Sequence, residues 1–271
     1  MSIWITVVIL AVLQGITEFL PVSSSGHLAV LSAVFGLNSD EGTAFSIVLH
    51  GGSLVAIVAF YFKTLLSLLQ RDRWRIIGLV IIGTVPAGVA GVLLKVTGFD
   101  EIMFGDLLSI GMAFLVTASL LRLTGKEKMV QNAVTPLEKM SLKQALIVGF
   151  SQMVAITPGI SRSGTTIAVG TFAGLSFEAA ATFSFLLAIP VIGGATLLEL
   201  VSLIKAGGIA GRLSMVQLGA GFVISAVTSF AALTLLVAIV KKRKLSNFSW
   251  YLFLLGITVI GWQMLKLQGR G

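Results

Sequence analysis

The stretch QGITEFLPVSSSGH, residues 14–27, places a carboxylate, three serines and an imidazole inside an otherwise apolar N-terminal region. A second polar cluster, TPGISRSGTT at residues 157–166, also lies between apolar segments and contains a guanidinium. Each cluster combines proline, glycine and hydroxyl residues. Hydrocarbon tolerates neither such groups nor a broken helix unless protein or water surrounds them. The sequence therefore predicts one protected polar site that is divided between two halves of the chain.

The rest of the chain has the composition of an integral membrane protein. Its 271 residues are 56% hydrophobic and 11% charged, whereas a soluble domain carries about 25% charged residues. The apolar runs reach about 20 residues without strict alternation, which favours spanning helices over the strands of an outer-membrane barrel. Six spans are predicted, at about 44–62, 76–94, 107–121, 183–204, 215–240 and 250–267.

The net charge of +8 resides mainly in short loops beside these apolar segments. The positive-inside bias assigns the basic loops at 63–75, 122–143 and 241–244 to the cytoplasm, and the acidic loops at 39–41 and 100–106 to the outside. This pattern predicts contact with membrane lipids and no nucleic-acid partner. The chain has no cysteine, which excludes disulfides, thiol catalysis and cysteine-ligated metals.

Given this order of the loops, the segments 3–37 and 144–182 must each begin and end on the same side of the membrane. Both segments are therefore predicted to be re-entrant helix hairpins that turn at the polar clusters. An offset of 138 residues aligns the two halves, since Gln14 meets Gln152, Ser23 meets Ser161 and Gly26 meets Gly164.

The resulting architecture is an inverted-topology repeat. Repeat 1 covers about 1–123, a linker covers about 124–141, and repeat 2 covers about 142–271. Each repeat contains one hairpin and three spans. Because three is an odd number, the second repeat enters the membrane from the opposite side and has the inverted orientation. We predict a single all-α polytopic membrane domain over 1–271, with six transmembrane helices plus two re-entrant helix hairpins.

Arg162 gives the second cluster its clearest chemistry. An arginine at bilayer depth costs about 2.5–3.5 kcal/mol and needs a partner. Behind a Pro-Gly turn it can bind a phosphate in bidentate fashion, beside the N–H groups of a helix N-terminus. The alternative is an ion pair with Glu18 that binds no ligand. The candidate phosphate-binding residues are Ser23, Ser25, Gly26, Ser161, Arg162, Ser163 and Gly164.

The first cluster has the groups needed for nucleophilic or acid–base chemistry. The catalytic candidates are Glu18, Ser24, His27 and Arg162, with Ser24 as nucleophile and His27 as proton carrier, or with water activated by His27 or Glu18. The alternative makes the serines helix caps and His27 an ordinary helix residue. His50, in a predicted span, is expected to be a hydrogen-bonded core residue rather than a proton relay.

The run 14–27 resembles the first signature of the bacterial undecaprenyl-pyrophosphate phosphatase family, which is associated with bacitracin resistance, and PGISRSGTT at 158–166 resembles its second. The similarity extends to FSFLLAIP at 183–190, to the chain length and to the spacing between signatures. It covers essentially the whole chain. The family positions that match here are Glu18, Ser24, His27, Ser161, Arg162 and Thr166, which adds Thr166 to the phosphate-binding candidates.

The resemblance implies hydrolysis of a C55 polyprenyl diphosphate to its monophosphate, which recycles the lipid carrier of cell-wall synthesis. It also implies six spans with two re-entrant hairpins, a bacterial cytoplasmic-membrane location, a site open to the outer face, and a divalent cation, Mg or Ca. Glu18 and Gln14 are the candidate metal ligands, although the family often has glutamate where this chain has Gln14. The expected partners are undecaprenyl diphosphate and membrane lipids, with a homodimer as the assembly considered.

The competing hypothesis is a polyprenyl-phosphate flippase or transporter. Inverted repeats and broken helices around a midplane site are typical of transporters, and the same anion site would hold a lipid phosphate. A structural membrane scaffold is a third hypothesis, but it leaves Glu18, His27 and Arg162 without a role.

Overall fold

The computed structural model describes residues 3–35, 39–98, 106–205 and 214–268. Within these ranges the chain is helical, apart from turns and an isolated parallel bridge between Thr135 and Leu175. The helices are α1 Ile3–Phe19, α2 Ser24–Phe35, α3 Ser39–Phe60, α4 Phe62–Leu68, α5 Trp74–Thr97, α6 Leu107–Leu123, α7 Glu127–Asn132, α8 Leu142–Val154, α9 Arg162–Phe172, α10 Phe177–Lys205, α11 Met215–Lys241 and α12 Phe248–Gln268.

The long apolar helices confirm an all-helical integral membrane protein. In the described ranges, four segments are long and apolar enough to cross a membrane: Arg71–Thr97, Phe177–Ser202, Met215–Lys241 and Leu245–Lys266. A fifth span is present if Phe45–Phe60 and Phe62–Leu68, bent by 67°, are counted together. The predicted span at 107–121 corresponds to α6, which has 17 residues and is shorter than the others. Whether α6 crosses the membrane as a sixth span therefore stays a prediction.

Parts of the sequence predictions concern residues outside the described ranges. The acidic pair Asp100 and Glu101 is among them, and so is the loop at 206–213. Gly36 and Leu37, at the end of the first predicted hairpin, also lie outside.

Each polar cluster occupies a break between two helices. The first break separates α1, which ends at Phe19, from α2, and the second separates α8, which ends at Val154, from α9. Pro21 and Pro158 lie in these breaks, where proline removes a backbone donor and opposes helix continuation. The sequence thus places two helix N-termini, at Ser24 and Arg162, at the polar clusters.

Helix packing encloses both breaks. Helix α1 packs against α11, α8 packs against α5, α6 packs against α12, and α3 packs against both α10 and α11. Fully buried phenylalanines, among them Phe19, Phe114 and Phe185, form the core beside the breaks. Because helices in lipid gain from close packing and polar contacts rather than from hydrophobic burial, this dense packing holds the two breaks together.

Candidate active site

The two breaks contact each other directly. The Gly159 N–H donates to Ser23 Oγ at 3.1 Å, and Ser163 Oγ donates to the Leu20 carbonyl at 3.2 Å. A Cβ added to Gly26 would lie 2.9 Å from Gly159 Cα, so no larger residue fits at this crossing. The structure therefore brings the two sequence clusters, which are more than 130 residues apart, into one site.

The backbone at this crossing is unusual on both sides. Gly159 has φ +91°, which glycine adopts without strain, and Ser23 has φ +68°, which is uncommon for a residue with a Cβ. The Ser23 hydroxyl accepts the Gly159 N–H, and its carbonyl accepts from His27 Nδ1 at 2.7 Å. These bonds hold a conformation that the isolated chain would disfavour.

Glu18 lies at the centre of the polar contacts. Its Oε1 accepts from Arg162 Nη2 at 2.9 Å, and its Oε2 accepts from Ser24 Oγ at 2.7 Å and from Gln14 Nε2 at 3.0 Å. The side chains of Glu18 and Arg162 are 7% and 13% exposed. Hydrogen bonds to an ionised group are stronger than neutral ones, so this carboxylate fixes three neighbours at once.

Arg162 keeps one donor for a further partner. Its Nη1 is buried and has no hydrogen-bond partner among the described residues, while Nη2 is bound to Glu18. A buried donor left unpaired costs about 1–3 kcal/mol, and more when it is charged. An ion pair that only neutralised Arg162 and Glu18 would not explain this nitrogen, whereas an oxyanion beside Arg162 would satisfy it.

His27 is directed away from Ser24. Its Nδ1 lies 2.7 Å from the Ser23 carbonyl, and its Nε2 lies 2.6 Å from the Tyr251 hydroxyl. Both ring nitrogens are therefore engaged, and the Ser24 hydroxyl instead donates to Glu18. The predicted role of His27 as proton carrier for Ser24 would require the ring to move.

The imidazole that faces Glu18 is His50. Its Nε2 lies 3.8 Å from Glu18 Oε2, and its Nδ1 lies 2.9 Å from the Ser46 carbonyl. The side chain is 29% exposed, so His50 borders the site rather than lying in the core as expected. An ionisable residue inside a predicted span is a functional candidate by default, and this signal was available in the sequence.

The predicted phosphate-binding hydroxyls fall into two groups. Ser161 Oγ accepts the Gly164 N–H at 3.1 Å and caps α9. Ser163 Oγ donates to the Leu20 carbonyl in the first break. The buried Thr166 Oγ1 lies 2.6 Å from Ser184 Oγ. These three hydroxyls hold the site together. Ser25, in the first turn of α2, is only partly buried and remains accessible, and so is the neighbouring Ser24, the predicted nucleophile.

The residues around Glu18 fit a divalent cation only in part. No group of three or more His, Cys, Asp or Glu side chains suited to a metal occurs in the described part of the chain. Glu18 supplies one carboxylate, and Gln14 Oε1 is a buried oxygen without a hydrogen-bond partner there. Mg²⁺ is commonly held by one or two carboxylates plus substrate phosphate oxygens, so this donor set suits a cation that arrives with a phosphorylated substrate.

Comparison with known proteins identifies the family. The family described as "Bacitracin resistance protein BacA" matches residues 7–258. The undecaprenyl-diphosphatase of Parabacteroides distasonis is 38% identical over 97% of this chain and 99% of its own length. Those of Rhodopirellula baltica and Methanosphaera stadtmanae are 40% and 37% identical, each over 94% of this chain and 96% of their own length. The chain therefore belongs to the bacitracin resistance protein BacA family.

Proposed function

We propose that this protein hydrolyses undecaprenyl diphosphate to undecaprenyl phosphate and inorganic phosphate. The observation that carries the proposal is the buried Arg162, which has one nitrogen on Glu18 and another without a partner among the described residues. The Ser24 hydroxyl lies beside it and donates to the same carboxylate. The relatives named above bear the name of this phosphatase. Recycling of the cell-wall lipid carrier and bacitracin resistance follow from that reaction and that family.

The diphosphate binds where the two helix N-termini meet. Helix α2 begins at Ser24 and α9 begins at Arg162, and helix N-termini favour anions through their free N–H groups and partial positive charge. Arg162 Nη1 supplies a directed, charged donor to a phosphoryl oxygen. As negative charge shifts from the terminal phosphorus toward the bridging oxygen, these fixed donors stabilise the transition state.

Ser24 is the proposed nucleophile, and Glu18 is the group placed to receive its proton. Ser24 Oγ forms a bond to the terminal phosphorus, the bond from that phosphorus to the bridging oxygen breaks, and undecaprenyl phosphate leaves with the bond's electron pair. The hydroxyl proton passes to Glu18, 2.7 Å away. Water then forms a bond to the same phosphorus, the bond from phosphorus to Ser24 Oγ breaks, and Ser24 Oγ takes a proton from the water as inorganic phosphate leaves. Glu18 releases the proton that it received in the first step to solvent. In the alternative, water attacks the terminal phosphorus in one step.

A divalent cation, Mg²⁺ or Ca²⁺, is proposed as cofactor. Glu18 and the Gln14 Oε1, which has no partner among the residues described, would hold it together with substrate oxygens. When bound, such an ion would neutralise diphosphate charge. Arg162 and Ser24 keep their own roles in binding and attack.

The proposed setting is the bacterial cytoplasmic membrane, with six spans, two re-entrant hairpins and a site open to the outer face. The packing supports the inverted repeat, because α1 packs on α11 while its counterpart α8 packs on α5, the counterpart of α11. The homodimer stays a prediction.

Phosphate release from undecaprenyl diphosphate tests the proposal directly. Purified protein in detergent micelles should release inorganic phosphate, and a chelator should lower the rate by at least about tenfold, with recovery on adding Mg²⁺ or Ca²⁺. The measurement is a colorimetric phosphate assay with and without chelator. If the intact, folded protein released no phosphate under any of these cation conditions, the hydrolase proposal would be wrong, and transport of the same lipid could be measured in vesicles.

Ser24→Ala separates the two routes of attack. Loss of the nucleophile should lower kcat by about 100-fold or more, in the range typical of positioned catalytic groups. Ser119→Ala is the matched control, because the exposed Ser119 hydroxyl only bonds the Leu115 carbonyl of its own helix. Turnover by Ser24→Ala within about threefold of the native rate would exclude Ser24 and assign the attack to water.

A further inference from the structure

Tyr251 on α12 lies outside both polar clusters, yet it contacts a predicted catalytic residue. Its hydroxyl is 2.6 Å from His27 Nε2, and the two rings are stacked at 5.7 Å between centroids with 13° between their planes. Phe114 contacts the His27 ring edge-on at 5.3 Å. The imidazole is thus held between two aromatic rings and by one long-range hydrogen bond.

The partners of His27 determine where its proton lies. A backbone carbonyl only accepts, so the contact of 2.7 Å between Nδ1 and the Ser23 carbonyl requires a hydrogen on Nδ1. In the neutral ring Nε2 then carries the lone pair and accepts the hydroxyl hydrogen of Tyr251. Donation therefore runs in one direction, from Tyr251 to His27 and from His27 to Ser23.

This chain of hydrogen bonds ends at the unusual peptide beside the proposed nucleophile. Ser23 has φ +68°, and its carbonyl also accepts the backbone N–H of His27 at 3.2 Å. Ser24 follows directly and begins α2, with its hydroxyl donating to Glu18. The peptide group whose carbonyl His27 holds also contains the backbone nitrogen of Ser24, so its orientation helps set the backbone from which the Ser24 hydroxyl projects.

We propose that Tyr251 is a positioning residue for the hydrolysis. Its hydroxyl donates to Nε2 and holds the ring where Nδ1 reaches the Ser23 carbonyl. His27 thereby holds the left-handed Ser23 peptide, and that peptide presents Ser24 to Glu18 and to the diphosphate. The inference rests on the proposed function for its kinetic consequence, but the hydrogen-bond arrangement itself does not depend on that function.

Tyr251→Phe tests the role of the hydroxyl while keeping the stacked ring. We expect kcat to fall about tenfold with KM within about twofold, because orientation is lost and substrate contacts are not. Tyr61→Phe is the matched control, since Tyr61 is a buried tyrosine that packs against Phe60 and Phe185. It should leave kcat and KM unchanged.

A spectroscopic measurement distinguishes this route from a general loss of structure. The chain has two histidines, so ¹⁵N-histidine NMR in micelles gives two ring systems, and His50→Gln identifies the one from His27. Native protein should show His27 as the single form with hydrogen on Nδ1. In Tyr251→Phe the Nε2 resonance should shift because its hydrogen bond is lost, and the Nδ1 resonance should shift because the ring no longer keeps its position against the Ser23 carbonyl, while Tyr61→Phe should match the native spectrum.

The outcomes are separable. An unchanged or raised kcat in Tyr251→Phe would overturn the proposal, and so would a fall in kcat without a change in the His27 spectrum. If native protein released no phosphate, the hydrolase function would fail, yet the His27 spectra of the native and Tyr251→Phe proteins would still decide whether Tyr251 sets the imidazole.

Discussion

Arg162→Lys is expected to lower kcat for phosphate release by about 10³-fold, within the range found for arginines that stabilise phosphoryl transfer. Lysine keeps the positive charge but loses the planar fork. In the native site one guanidinium nitrogen holds Glu18, while a second is buried, has no hydrogen-bond partner in the described part of the chain, and can take a phosphoryl oxygen. A single ammonium group cannot occupy both positions, so either the carboxylate or the substrate loses its donor.

The measurement is steady-state kinetics on detergent-purified protein, beside Arg122→Lys as control. Arg122 is an exposed arginine above the Trp250 ring, 5.3 Å from its centroid, and its exchange for lysine should leave turnover unchanged. Full activity in Arg162→Lys would refute the proposal that the guanidinium bridges Glu18 and the substrate, and would favour the purely neutralising ion pair.

Glu18→Gln is expected to lower kcat by about 10²–10³-fold, because it removes the proposed proton acceptor of Ser24. The amide of the substituted glutamine would also place N–H donors where the Glu18 carboxylate accepts hydrogen bonds from Arg162, Ser24 and Gln14. Breaking a buried charge pair costs about 3–5 kcal/mol, so thermal stability should fall as well. A weaker response to chelator would accompany these losses if Glu18 holds the cation.

The assay should be run well below the unfolding temperature of the variant, so that the loss of rate is not a loss of folded protein. Glu138→Gln is the control, since Glu138 is an exposed carboxylate in a short turn. A Glu18→Gln protein with the native rate and the native metal dependence would remove Glu18 from both proposed roles.

The sequence predicted the helical membrane class and the contact between the two polar clusters for physical reasons. Apolar runs of spanning length have few alternatives to helix in lipid. Proline, glycine and charge within such runs mark helix breaks, and the breaks at Pro21 and Pro158 are where Glu18 and Arg162 meet. The spacing of Gln14 and Glu18, one helical turn apart, likewise matches their hydrogen bond.

The partners of the two histidines were not predictable in the same way. His27 follows Ser24 by three residues, so proximity in sequence favoured a Ser24–His27 pair. The structure turns the ring toward Tyr251, a residue 224 positions away, and leaves His50 to face Glu18. Such contacts depend on which helices are neighbours, which hydropathy does not encode. The predicted span at 107–121 lies within the 17 residues of α6 and stays a prediction.

The bond between Gly159 and Ser23 joins positions 136 residues apart, which has a consequence for biosynthesis. At about 5–20 residues per second, the ribosome needs roughly 7–27 s to make the intervening chain. During that interval the first break, with its acidic side chain, has left the ribosome before the arginine that neutralises it exists. Glu18 therefore goes without its Arg162 partner until the second half of the chain has been made.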